Sequence, residues 1–135
     1  MNQHTAGSPW KWMAAAVLAH LVISMVHGAA HSGANVPLSL PATLFVFLVI
    51  LAGPGAGLAL SWRAERLGSA IVALTMAGSL VFGVVNHFLL ESPDHVGHVA
   101  AQWRLLFGTT AVMLAITEMF GLGYAIRLVR LRRPA

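Results

Sequence analysis

Metal-binding residue types are concentrated in one short stretch of the sequence, NHFLLESPDHVGH, which spans residues 86–98. It holds three of the seven histidines and two of the four acidic residues of the chain. Imidazole nitrogens and carboxylate oxygens are common ligands of zinc, copper and iron. Because the chain has no cysteine, thiolate sites and iron–sulfur clusters are excluded, and any metal must be bound by nitrogen and oxygen.

A second group of histidines lies nearer the N-terminus. His20, Ser24, His27 and His31 follow one another at intervals of four, three and four residues, so on an α-helix they form one stripe. His27 and His31, the ends of HGAAH, are one turn apart and can bind one ion, as helical HxxxH pairs do. His87 and Glu91 repeat the four-residue spacing.

The composition indicates the element that positions these residues. The chain is 58% hydrophobic and 9% charged, whereas soluble domains contain about 25% charged residues. The mean hydropathy is +0.78. The net charge of +4 does not indicate a nucleic-acid partner, because the basic residues flank apolar runs and form no patch with interleaved aromatics. The partner that this composition predicts is the lipid bilayer.

Four apolar runs are long enough for transmembrane helices, which need about 20 residues. We predict an all-α integral membrane protein with one domain, residues 1–135, that forms a four-transmembrane-helix bundle. The predicted spans are Trp12–His31, Ala42–Trp62, Leu67–Leu90 and Leu105–Ile126. Lys11 and the first run resemble a signal peptide, but the run of about 19 residues exceeds the usual 7–15, and we expect a retained helix. In the second span, AGPGAG predicts a kink at Pro54 and close helix packing at Gly53 and Gly57.

The cations predict the orientation. Seven of the eight fall on the side of the termini and only Arg104 falls on the other, which places both termini in the cytoplasm by the positive-inside rule. We expect a multi-pass protein of the bacterial inner membrane. The seven are Lys11, Arg63, Arg66, Arg127, Arg130, Arg132 and Arg133.

The same topology collects the metal-type ligands at the extracytoplasmic end. Ser92 and Pro93 are typical of a helix start, and they predict a short interfacial helix near 93–98 in the outer loop between the third and fourth spans. Seven side chains are then candidates for one or two metal ions: His27, His31, His87, Glu91, Asp94, His95 and His98. These ligands suit zinc, copper(II) or iron(II), and the sequence does not choose among them.

Glu118 and His20 form a separate polar feature, because each lies within an apolar span at a similar depth. A carboxylate at this depth needs a partner. We predict a His20–Glu118 contact, either as a link between the first and fourth helices or as part of a proton path along the histidine stripe.

Three functions remain open. The first is metal handling, or metal-dependent redox or hydrolytic chemistry, at the outer site. The second is an accessory or assembly subunit of a larger membrane complex of the respiratory type, with other subunits or a homo-oligomer as partners. The third is binding of haem b between axial histidines such as His27 and His87. Whether the protein is an enzyme stays open.

Overall fold

A computed structural model describes residues 8–131, and all its regular structure is helical, with no strand in that range. The four predicted helices are present, and each is long and apolar enough to cross a membrane. We call them α1 to α4. They are longer than predicted at most of their ends, most clearly at the C-terminus of the fourth. Their bounds are Pro9–Gly33, Leu40–Ser61, Glu65–Leu89 and Ala101–Leu131. Residues 1–7 and 132–135, which include Arg132 and Arg133, lie outside the described residues.

Helix α1 is delimited by its local sequence. Pro9 occupies the first turn, where its missing N–H costs nothing because that group has no partner within the helix. At the other end, Asn35 adopts a left-handed conformation with φ of 53°, and the Val36 N–H donates to the carbonyl of His31 at 3.1 Å. This helix stop places His31 in the last turn of α1.

Helix α2 changes its hydrogen bonding where the sequence predicts a kink. Residues Val46–Ala52 form a π-helical segment between two α-helical segments. Pro54 has no N–H and cannot complete the i→i+4 bond to the carbonyl of Ile50. His20 Nε2 of α1 lies 2.9 Å from that carbonyl oxygen. The proline therefore frees an acceptor that joins α1 to α2.

Helices α2 and α3 form a tight hairpin at glycines. A Cβ at Gly57 would lie 2.9 Å from Val72, and one at Gly53 would overlap Thr75. A Cβ at Gly68 would overlap the backbone of Ser61. The close packing predicted at Gly53 and Gly57 is therefore present, with α3 as the neighbour.

The predicted short helix at 93–98 is not formed, since residues 91–100 make a series of turns. Side chains take up backbone groups that a helix would use: Ser92 Oγ accepts from the Asp94 N–H at 3.2 Å, and His98 Nδ1 lies 2.8 Å from the Ser92 carbonyl oxygen. The Val96 N–H donates to the carbonyl of His87 at 3.0 Å. This bond holds the loop against the end of α3.

Two apolar cores stabilise the two ends of the bundle. At the end that carries both described termini, which we call the terminal end, the core comprises Met13, Val17, Val72, Met76, Ala125 and Leu128. At the opposite end, which we call the cluster end, Ala30, Val99 and Phe107 form a smaller core. The histidines discussed below lie beside this second core.

The bond between Trp10 and Ser61 links α1 to α2 at the terminal end. Trp10 Nε1 donates to the buried Ser61 Oγ at 2.9 Å. Replacing Ser61 with alanine should lower the free energy of unfolding by about 1 kcal/mol more than the control change below, because it removes the bond from Trp10 as well as the bond from Ser61 to the carbonyl of Leu58 in its own helix. Thermal unfolding in detergent measures this change. Ser32→Ala is the control, since Ser32 is exposed and bonds only a carbonyl of its own helix; equal effects of both changes would contradict the prediction.

Candidate metal centre

Three imidazoles from two helices meet at the cluster end. His27 and His31 come from adjacent turns of α1, and His87 comes from the π-helical last turn of α3, Val85–Leu89. One ring nitrogen of each lies within 4.8 Å of one ring nitrogen of each of the others. Among the described residues this is the group of histidines and carboxylates with the geometry to bind an ion. We call it the histidine cluster.

The ring of His27 is oriented by helix α4. Its Nδ1 lies 2.8 Å from Thr110 Oγ1. Thr110 Oγ1 also lies 2.7 Å from the carbonyl oxygen of Leu106 and 3.0 Å from that of Phe107, and because carbonyls only accept, the single hydroxyl hydrogen is donated to them. Thr110 Oγ1 therefore accepts from His27 Nδ1–H, and a neutral His27 carries its lone pair on Nε2.

The ring of His87 is oriented by the loop that follows its own helix. His87 Nδ1 lies 3.2 Å from the carbonyl oxygen of Asp94 and 3.2 Å from Oδ1 of the same residue. The carbonyl and the ionised carboxylate are acceptors only, so Nδ1 carries the hydrogen and a neutral His87 also has its lone pair on Nε2.

The two lone pairs face each other across a short distance. His27 Nε2 and His87 Nε2 are 3.2 Å apart and both rings are buried. With both Nδ1 positions already donating, no hydrogen is left to lie between two neutral rings. A cation between the two nitrogens, either a metal ion or an extra proton, removes this repulsion. Donation of the outer N–H to a carbonyl, carboxylate or hydroxyl is also the usual arrangement of metal-bound histidine.

Asp94 brings a carboxylate to the outer side of the cluster. Its Oδ1 lies 3.2 Å from both His31 Nε2 and His87 Nδ1, although neither contact has the alignment of a hydrogen bond. Burial raises the pKa of Asp94, but the contact with His87 and the charges of the three imidazoles outweigh it and hold the pKa below its ordinary value. The negative charge favours a cation nearby, and the buried His31 Nδ1 has no hydrogen-bond partner among the described residues.

Two site residues, Thr110 and Phe107, did not emerge from the sequence. Phe107 is fully buried, and its ring centroid lies 4.7 Å from that of His27, 4.7 Å from that of His31 and 5.2 Å from that of His87. It gives the cluster an apolar floor. Thr110 is eight residues before Glu118, and this spacing places both on the same side of α4 to within about 80°. The spacing was the feature of the sequence that could have identified Thr110.

The other predicted ligands lie apart from the histidine cluster. Glu91 and His98 are exposed and contact each other, with Glu91 Oε2 3.1 Å from His98 Nε2. The ring of His95 lies 5.3 Å from that of His98. The structure thus brings together four of the seven candidates, His27, His31, His87 and Asp94, and leaves three on the loop surface.

His20 and Glu118 lie next to each other deeper in the bundle, with His20 Nδ1 3.6 Å from Glu118 Oε1 and both side chains buried. Since Ile50 accepts the Nε2 hydrogen of His20, Nδ1 is the nitrogen that faces the carboxyl group. The pair links α1 to α4 at a level between the two apolar cores.

A cavity of about 380 Å³ connects the two polar sites. At the cluster end the cavity is lined by His27, His31, His87 and Asp94, and at its deeper end it is lined by Glu118. One wall is supplied by α2 and is apolar apart from Thr43. The histidine cluster can therefore be reached from inside the bundle.

The fold and site define a helical protein with four membrane-type spans and a buried three-histidine cluster that could bind a metal ion. No protein-family model, curated protein or solved structure matches the chain.

Proposed function

We propose that this protein is an integral membrane protein that binds one transition metal ion through His27, His31 and His87, for metal handling or for metal-dependent redox or hydrolytic chemistry. One observation carries the proposal: His27 Nε2 and His87 Nε2 lie 3.2 Å apart, while Nδ1 of each ring lies within hydrogen-bonding distance of an oxygen that we assign as an acceptor. Metal–nitrogen bonds of about 2.0–2.1 Å give nitrogen separations of about 2.9 Å at right angles and about 3.3 Å in a tetrahedron. The 3.2 Å between His27 Nε2 and His87 Nε2 lies between these two values.

A small ion is supported better than haem b. Two axial histidines lie on opposite faces of a haem, so their bound nitrogens are about 4 Å apart, twice a metal–nitrogen bond. His27 Nε2 and His87 Nε2 are closer than that, and the rings of His31 and Phe107 pack against both. No planar gap for a porphyrin separates the two helices here.

We also propose that the terminal end faces the cytoplasm. Of the described cations, only Arg104 lies at the cluster end, and the other five lie at the terminal end, which follows the positive-inside rule. They are Lys11, Arg63, Arg66, Arg127 and Arg130. The metal centre then lies at the extracytoplasmic end of the bundle, in a membrane such as the bacterial inner membrane.

A role as an accessory subunit of a larger membrane complex is the second candidate. Helix α2 supports this role, since only 11% of its apolar 18-residue stretch is buried within the chain, against 33% for the corresponding stretch of each of the other helices. Large side chains such as Phe47 and Leu48 are exposed on it. A stoichiometric partner that co-purifies in mild detergent supports this role, and a lone monodisperse species argues against it.

Elemental analysis of protein purified without added metal or chelator tests the main proposal. We expect about one equivalent of zinc, copper or iron per chain and no Soret band. The apoprotein should rebind about one equivalent of zinc. A protein that holds no metal and binds none on titration would have only a shared proton between His27 and His87, and the proposal would be wrong. A Soret band would support haem instead.

A further inference from the structure

The cavity below the histidine cluster ends blind within the bundle. His20 contacts Ile50 and joins α1 to α2 at that level. From there toward the cluster end, the cavity lies between the two helices. Below Glu118, the apolar core of the terminal end closes the space. At the opposite end of the cavity, Gly28 and Phe47 line it and are exposed at the bundle surface between α1 and α2. The shape is that of an inlet, not of a channel through the bundle.

Two groups in this inlet have unmet hydrogen-bonding capacity. Ser24 Oγ lines the cavity, is buried, and has no partner among the described residues. Glu118 also lines the cavity, and its contact with His20 is 3.6 Å, too long for a hydrogen bond. His20 Nδ1 is likewise buried without a partner. Unsatisfied buried polar groups are costly, so an occupant with its own polar atoms is favoured here.

The spacing of these groups indicates the occupant. Ser24 is four residues from His20, the residue beside Glu118, so the Ser24 hydroxyl and the Glu118 carboxyl face the cavity at two levels about one helical turn apart. A quinone ring carries one oxygen at each end and can therefore bond to one group at each level. The opposing wall from α2 is apolar apart from Thr43, and it includes Phe47 and Ile50. The volume of about 380 Å³ is at the lower end of the range for small-molecule sites, about 300–1,000 Å³, and suits a ring whose tail leaves through the mouth.

We propose that the inlet binds a membrane-soluble quinone or quinol, which enters between α1 and α2 from the bilayer. One ring oxygen faces Ser24, and the other faces Glu118, which lies next to His20. The inference rests on the proposed function and deepens it, because it names the class of substrate that would lie next to the metal centre.

Calorimetric titration of the detergent-solubilised, full-length protein with decylubiquinone tests the inference, with metal content measured on the same samples. Gly28→Leu places a side chain at the mouth, where a Cβ meets nothing within 4 Å, so the helix tolerates it. We expect at least a tenfold weaker affinity with the metal retained. Gly123→Leu is the matched control, since a Cβ there also meets nothing within 4 Å and Gly123 does not line the cavity; its affinity should be unchanged.

Ser24→Ala provides a second variant that keeps the fold, and it should weaken decylubiquinone binding about fivefold, the effect of one neutral hydrogen bond. Equal affinity of Gly28→Leu and the parent protein, or no saturable binding by the metal-loaded parent, overturns the inference and leaves the metal centre standing. Saturable binding by a protein that takes up no metal would instead overturn the proposed function alone.

Discussion

His87→Ala is expected to bind zinc at least roughly 100-fold more weakly than the parent protein, because loss of a direct ligand exceeds the 10–100-fold cost of losing a group that only orients one. The variant removes one of the two facing Nε2 atoms and also releases Asp94 from its contact with the His87 ring. Competition between the protein and a zinc-binding dye measures the two affinities.

His98→Ala is the matched control for this loss. It removes an imidazole at the same end of the bundle, from the loop between α3 and α4, but His98 is exposed and contacts Glu91 and the Ser92 carbonyl instead of the histidine cluster. Its zinc affinity should stay within about twofold of the parent, since a surface imidazole that is not a ligand adds little to binding. If His98→Ala loses as much zinc as His87→Ala, the ion binds at the loop surface and the buried centre is not the site.

The helical part of the candidate site could be predicted because periodicity and hydropathy are local properties of the sequence. The four- and seven-residue spacings place His20, His27 and His31 on one side of α1 without any tertiary information. The alternation of spans then brings the end of α3, with His87, to the same end of the bundle. The structure shows these elements, and it places His27, His31 and His87 together.

The loop part could not be predicted, because its conformation depends on contacts beyond the local pattern. Ser92 and Pro93 can begin either a helix or a turn. The outcome was decided by bonds such as Val96 N–H to the His87 carbonyl, which exist only once the loop packs against α3. That packing turns Asp94 toward the cluster and leaves His95 and His98 at the surface.

The contact between His20 and Glu118 shows a related limit of prediction from the sequence. Depth alone predicted that His20 and Glu118 would be neighbours, and they lie 3.6 Å apart. The sequence did not indicate that Pro54 would free the Ile50 carbonyl for His20 Nε2, because this requires the register between α1 and α2. That bond fixes which nitrogen of His20 faces Glu118.

Thr110→Val tests whether the orientation of His27 contributes to the site. Valine keeps the shape of threonine but cannot accept the Nδ1–H of His27, which then lies buried without its 2.8 Å partner. Loss of a partner that orients a metal-bound histidine typically weakens metal binding about 10–100-fold. We expect a reduction in zinc affinity within this range, measured by the same dye competition. The unfolding temperature should also fall, because the His27 Nδ1–H is left buried without a partner.

Thr109→Val isolates that effect from the general cost of removing a helical hydroxyl. Thr109 is the neighbouring residue, is exposed, and bonds only the carbonyls of Leu105 and Leu106 in its own helix. Both variants lose a hydroxyl that bonds the backbone of α4, but only Thr110→Val leaves His27 without a partner. If the two variants bind zinc equally well, the orientation of His27 by Thr110 is immaterial. The fixed Nε2 lone pair on His27, on which the metal proposal depends, would then have no experimental support.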